Sequence, residues 1–201
     1  MNNINTIIFD FGGVLIDWNP RYMYRDEFEE SSEMEYFLNE VCTEDWNLQQ
    51  DKGRSLSEGT RILQKKFPDH VVKIQLYYDR WEKMIKGHIQ QNVTLLQKLK
   101  ERYKLYGLTN WSAETFPIVF KRYSFFKLFD GIVISGEEKL IKPDKKIFEL
   151  MLDRYHLEAK NSLFIDDNGN NIQAAKEMGF ATIHVMEKTD LKTELYALGL
   201  I

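Results

Sequence analysis

The chain contains one cysteine, Cys42, among 201 residues, so no internal disulfide can form. Its apolar helical context reads as a small buried residue in a reducing compartment rather than a nucleophile. No apolar run approaches the ~18 residues needed to span a bilayer, and the amino terminus lacks a charged and apolar leader pattern. A formal net charge of -4, with no basic cluster beyond short lysine pairs, gives no electrostatic footprint for a polyanion. The histidines at 70, 88, 156 and 184 lack metal-ligand spacing and read as surface or packing residues. Repeats and low-complexity tracts are absent. These absences exclude nucleic-acid and membrane partners and lead us to expect a soluble cytoplasmic protein, with its oligomeric state left open.

What is present is a chain 43% hydrophobic and 29% charged, enough for one α/β core and a modest second unit. β-branched and apolar runs predict strands at residues 5–11, 104–108, 131–135, 162–165 and 181–185. Helical periodicity lies between most of them. Leu95, Leu96 and Leu99 share a face over 93–103, and Ile147, Phe148 and Met151 do so over 144–155, with Pro143 at that helix's start. Over 171–178 the face is Ile172, Ala175 and Met178, stopped by Gly179. This alternation predicts right-handed βαβ units and a mainly parallel sheet flanked by helices. Residues 17–86 show helical periodicity and no convincing strand, so they read as a helical insertion into a core of residues 1–16 plus 87–201. Ser32 with Glu35, and Ser55 with Glu58, have capping-box spacing. Asp69 opens a longer predicted helix carrying the stripe Ile74, Tyr77, Trp81, Met84 and Ile85. The polar connection at 49–56 offers Arg54 as a substrate contact, although a solvated helix junction accounts for the same residues.

Four short segments carry the chemistry: Asp10-Phe11-Gly12-Gly13-Val14-Leu15, Thr109-Asn110, Lys142-Pro143-Asp144 and Asp166-Asp167-Asn168. All but the third sit where an apolar run gives way to Gly, Asn or Asp, the carboxyl ends of strands, where open α/β sheets bind ligands. An aspartate, a hydroxyl and amide, a lysine and an acid pair are the parts needed to hold a phosphate beside a divalent metal and attack it.

In order and spacing these segments resemble the motifs of the haloacid dehalogenase superfamily, in its branch with a helical cap inserted after the first strand. The Asp-Phe-Gly-Gly opening and the Asp-Asp-Asn-Gly-Asn-Asn run are similar to the α-glucose-1-phosphatase-like sugar phosphatases. The resemblance implies a Rossmann-like core and a phosphatase in which Asp10 attacks phosphorus and forms an aspartyl-phosphate. It implies Mg²⁺ held by Asp10, the Gly12 carbonyl and Asp167, an oxygen set that suits this ion. Asp166 would orient a metal-bound water or Lys142, and Asn171 stands where relatives often place another acid. The Thr109 hydroxyl, the Asn110 amide or backbone N–H, and Lys142 would hold the phosphate. Trp111 would wall the pocket or pack between sheet and cap.

One departure is Gly12, where most phosphatases of the superfamily carry a second aspartate as general acid and base, although the glucose-1-phosphatase-like relatives also carry glycine. Such help is worth ~10² to 10⁴-fold in rate, so its loss favours anomeric sugar or acyl phosphates, or a substitute acid, for which Asp17 is the candidate. Three functions fit. The acid pair favours a Mg²⁺-dependent phosphatase on a small phosphorylated metabolite, a sugar phosphate in particular. Gly12 also fits a metal-free 2-haloacid dehalogenase, or a phosphate-binding module without turnover.

Overall fold

The computed structural model describes residues 4–201. Five parallel strands form the main sheet: β1 (Thr6–Phe9), β4 (Lys104–Thr109), β5 (Gly131–Ile134), β6 (Ser162–Asp166) and β7 (Ala181–His184), in the order β5-β4-β1-β6-β7. The central strand β1 pairs with β4 and β6 in matching register, Phe9 lying opposite Gly107 on one side and Ile165 on the other. The predicted parallel α/β sheet is therefore what forms, and the strand order reverses at β1.

Period-two alternation explains the two layers. Ile7, Phe9, Leu163 and Ile165 enter one buried cluster, while Ile8, Phe164, Leu108 and Val133 enter the other, because successive strand side chains face opposite ways. The helices α6 (Gln90–Lys100), α7 (Phe116–Arg122), α8 (Ser135–Glu138), α9 (Lys145–Tyr155), α10 (Gly169–Glu177) and α11 (Leu191–Ala197) complete this part. In α9, Ile147, Phe148 and Met151 are fully buried, as their spacing predicts. The helix begins at Lys145 with Asp144 as its N-cap, so Pro143 precedes the helix instead of opening it.

The intervening stretch folds as α1 (Arg21–Tyr24), α2 (Ser31–Tyr36), α3 (Glu44–Asp51), α4 (Leu56–Lys66) and α5 (Val71–Asp79). Two expectations are corrected here. Strands β2 (Ile16–Trp18) and β3 (Ile85–His88) pair antiparallel at its two ends; both are too short, and too polar at Asp17, Lys86 and Gly87, to show alternation. The stripe from Ile74 to Ile85 is not one helix. A 3₁₀ turn precedes α5, another covers Trp81–Met84, and Ile85 is already in β3, yet Ile74, Tyr77, Trp81, Met84 and Ile85 are all buried. Burial, not helical continuity, set their spacing. Ser55 does cap α4, accepting from the Glu58 N–H at 3.2 Å, whereas Ser32 lies inside α2 and makes no cap bond. Cys42 is buried, and burial pushes its thiol well above the ordinary range. Among the described residues no helix is long and apolar enough to cross a membrane.

Candidate active site

Because β4, β1 and β6 are neighbours, their carboxyl ends bring the separate segments together. Asp10 follows β1 directly, and its N–H donates to the Ile165 carbonyl at 2.8 Å. Thr109 and Asp166 are the last residues of β4 and β6, one residue later in each strand than predicted. One carboxylate oxygen from each of Asp10, Asp166 and Asp167 falls within 4.8 Å of the others.

Lys142 enters this cluster from the segment between β5 and α9. Its side chain is fully buried, with Nζ 2.6 Å from Asp166 Oδ2, 3.1 Å from Asp10 Oδ1 and 2.8 Å from the Leu108 carbonyl. A buried ammonium survives only when so paired. Asp166 is itself fully buried and accepts from Lys142, from the Asn171 amide at 3.0 and 3.1 Å and from the Asn168 N–H at 2.7 Å. Its oxygens are thus committed to holding the lysine and the start of α10.

The charges leave a mark on the titrations. Burial pushes Asp10 up to about 7 against the pull of Lys142, with Asp166 and Asp167 adding to the rise. Asp167, open to solvent on one side, is pushed up to about 6 by its surroundings and then by Asp166. For Lys142, burial acts against the charge but Asp10 and Asp166 outweigh it, so its pKa lies above the usual lysine value. Three carboxylates with one lysine leave excess negative charge, and an oxygen-binding cation placed among them would relieve it. The donor set, all carboxylate and carbonyl oxygen, fits Mg²⁺.

Gly13 shapes the cluster. It sits at φ +67°, and a Cβ there would lie 2.1 Å from Asp167 Oδ2, so only glycine admits both the left-handed backbone and the acid. At Gly12 nothing lies within 4 Å of an added Cβ, and the position opens on a pocket of about 80 Å³ lined also by Trp18, Asn47, Asp51, Trp81 and Trp111.

Some expected contacts move. The Asn110 side chain is taken: its amide donates to the Lys142 carbonyl and accepts the Lys142 N–H, each at 2.9 Å, which leaves its backbone N–H as the group able to meet a phosphate. Trp18 lines the pocket and Asp17 does not, its carboxylate instead accepting from the Tyr22 hydroxyl at 2.8 Å. Arg54 turns back into the helical stretch, bonding Gln50 Oε1 at 2.6 Å and the Trp46 carbonyl at 3.2 Å. The 49–56 segment does reach the sheet, through Asp51, whose carbonyl accepts from the Ser135 hydroxyl. Trp111 both lines the pocket and packs edge-on to Trp81 at 5.9 Å.

Asp51, Asn47, Trp18 and Ser112 are pocket residues that sequence reasoning missed; it also missed His184, which lies outside the pocket with a ring nitrogen 2.9 Å from the Asp167 carbonyl. The polar 49–56 stretch was the only local signal for any of them, and it pointed to the wrong side chain.

Comparison with known proteins agrees with this geometry. The sequence matches the family described as haloacid dehalogenase-like hydrolase over residues 7–185. It is 26% identical over 190 residues to the sesquiterpene phosphatase astK of Aspergillus oryzae, covering 94% of this chain and 93% of that one. It is 25% identical over 195 residues to a phosphorylated carbohydrates phosphatase of Thermotoga maritima, covering 90% and 84%. A HAD family enzyme of Bacteroides thetaiotaomicron, solved as a magnesium complex, superimposes with a TM-score of 0.77 at 22% identity, covering 96% of this chain and 98% of that one. Two longer proteins match in part. The chain spans 20% of drimenol cyclase drtB of Aspergillus calidoustus, at 28% identity over 51% of its own length. It spans 7% of the acyl-CoA dehydrogenase family member 10 of Mus musculus, at 40% identity over 36% of its own length.

Proposed function

This chain belongs to the haloacid dehalogenase-like hydrolases, and from that premise we propose that it is a Mg²⁺-dependent phosphatase acting on a small phosphorylated metabolite through an aspartyl-phosphate on Asp10. The observation that carries this reading is the convergence of the Asp10, Asp166 and Asp167 oxygens within 4.8 Å, with the Lys142 ammonium buried beside them. A metal-free dehalogenase has no use for such an acid cluster. The named phosphatases among the relatives support the same choice, and the magnesium in the Bacteroides structure supports the metal.

Asp10, the Gly12 carbonyl and Asp167 would hold the Mg²⁺, which when bound would neutralise charge on the nucleophile and the phosphate together. Asp10 is oriented for in-line attack by the Phe11 N–H, which donates to its Oδ1 at 2.7 Å, and by Lys142. Lys142 stabilises the charge that gathers on the phosphoryl oxygens, while the Thr109 hydroxyl and the Asn110 N–H bind two of them. Asp166 and Asn171 keep Lys142 in place. The stretch between β2 and β3 acts as a cap, covering 17–86 over a core of 1–16 plus 87–201, and shields the reaction from bulk water. Its pocket mixes hydrogen-bonding Asn47, Asp51, Ser112 and Thr115 with Trp and Tyr rings, a lining suited to the hydroxylated body of a sugar phosphate.

The test is phosphate release from a panel of sugar, acyl and nucleoside phosphates with and without Mg²⁺, for the intact chain and Asp10→Asn. Release requiring both Mg²⁺ and Asp10 is expected. Chloride release from a 2-haloacid without metal, and no phosphate release, would overturn the proposal.

A further inference from the structure

Breaking a phosphate ester leaves an alkoxide that needs a proton, and hydrolysing the aspartyl-phosphate needs a proton taken from water. The groups already placed do neither: Asp10 is the nucleophile, Asp167 faces the cation, and Asp166 is closed in by Lys142 and Asn171. A proton carrier must face the pocket onto which Gly12 opens. Among the described residues lining that pocket, Asp51 is the one carboxylic acid.

Resting on the phosphatase reading, we propose that Asp51, delivered by the end of α3, is the general acid and base of both half-reactions. Its position is built rather than incidental. The Asn47 amide donates to Asp51 Oδ2 at 3.0 Å, the Tyr78 hydroxyl donates to Asn47 Oδ1 at 3.0 Å, and the Gln50 amide donates to Tyr78 at 2.9 Å. That chain fixes the carboxyl from the cap side, while the bond from Ser135 to its own carbonyl ties it to the end of β5. Across the same pocket, Trp18 Nε1 is buried and has no hydrogen-bond partner among the described residues. A buried donor without a partner is costly, and a leaving-group oxygen or substrate hydroxyl would satisfy it. Burial pushes Asp51 up to about 8, with Asp10 and Glu44 adding to the rise and the Ser112 N–H opposing it, so at neutral pH the group holds a proton to give.

In the first step an Asp10 oxygen bonds to phosphorus, the bond to the leaving oxygen breaks, and that oxygen takes the Asp51 proton and departs as an alcohol. In the second step Asp51 takes a proton from water as the water oxygen bonds to phosphorus. The bond from phosphorus to Asp10 breaks, restoring the carboxylate and releasing inorganic phosphate.

The experiment compares Asp51→Asn with the intact Mg²⁺-loaded chain on a hexose phosphate ester and on p-nitrophenyl phosphate, whose leaving group needs no proton. Loss of general acid help predicts a fall of ~10² to 10⁴-fold in kcat/KM, which reports the steps up to departure of the leaving group, on the alkyl ester and less than about 10-fold on the aryl ester, with the decline in kcat/KM above about pH 8 flattened on the alkyl ester. Asp51→Glu should recover part of the loss. So should Gly12→Asp placed on Asp51→Asn, because nothing obstructs a side chain there. An equal fall in kcat/KM on both esters, or none, overturns the role of Asp51 while leaving the phosphatase reading intact. No Mg²⁺-dependent release by the intact chain overturns both.

Discussion

Replacing Lys142 by methionine isolates a fully buried ion pair. Methionine keeps most of the stem's volume, so little cavity is created, and the loss is that of the ammonium. That group sits 2.6 Å from Asp166 and 3.1 Å from Asp10, with the Lys142 and Asp166 side chains both fully buried. Asp166 would keep its bonds from Asn171 and Asn168 but lose its countercharge, and stranding one partner of a buried pair costs about 3–5 kcal/mol. For a chain of this size that corresponds to a fall of about 6–20 °C in Tm. Urea unfolding of the metal-free protein near pH 8, where the carboxylates press hardest on one another, reads the effect directly. The double variant Lys142→Met, Asp166→Asn removes both charges and should regain at least half of the loss. The reasoning is refuted if Lys142→Met costs less than about 1 kcal/mol, or if Asp166→Asn adds its own full cost on top.

Asp10→Asn should abolish Mg²⁺-dependent phosphate release yet raise the unfolding temperature of the metal-free protein at pH 8, since it removes a carboxylate whose pKa burial has lifted to about 7; a lowered Tm would contradict this. In Asp10 and Asp167 the folded pKa values, about 7 and about 6, exceed the ordinary 3.8. The folded chain therefore keeps protons that the unfolded chain releases, and their contribution is full below about pH 4 and is lost as the pH climbs through about 6 to 7. The metal-free Tm should accordingly drop across that window and saturating Mg²⁺ should flatten the slope, as thermal scans would show; a metal-free Tm that rises there refutes the assignment. Gly13→Ala drives a methyl group against Asp167 Oδ2 at 2.1 Å and strains a backbone at φ +67°, so about 1–2 kcal/mol of stability and more than about tenfold in Mg²⁺ affinity should go, measured by urea unfolding and calorimetric titration. Unchanged affinity would mean that Asp167 does not hold the ion.

Much of the core was legible because its determinants are local. Ile7, Ile8 and Phe9 are all buried, and β1 and β6 both read as apolar runs because both faces of the sheet are covered. Asp10, Thr109 and Asp166 stand where those runs stop, so placing the segments at strand ends needed no knowledge of distance. The helical stretch was legible as helix but not in its breaks. Trp81 and Met84 keep helical spacing while lying in a 3₁₀ turn, and three-residue β2 is stabilised by β3, far along the chain, not by its own composition.

The sequence alone determined the sheet, the position of Asp10 at the end of its strand and the chemical kinds of group around it, since strand periodicity and strand ends are properties of neighbouring residues. Tertiary structure decided which side chains enter the pocket. Asp17 is engaged by the Tyr22 hydroxyl, Arg54 is captured by Gln50, the Asn110 amide is taken by the Lys142 backbone, and Asp51 arrives through a hydrogen-bonded chain running from Gln50 to Asn47. Those outcomes depend on how the segment from Pro20 to Met84 lies over the sheet, and such packing sums many long-range contacts that no local pattern encodes.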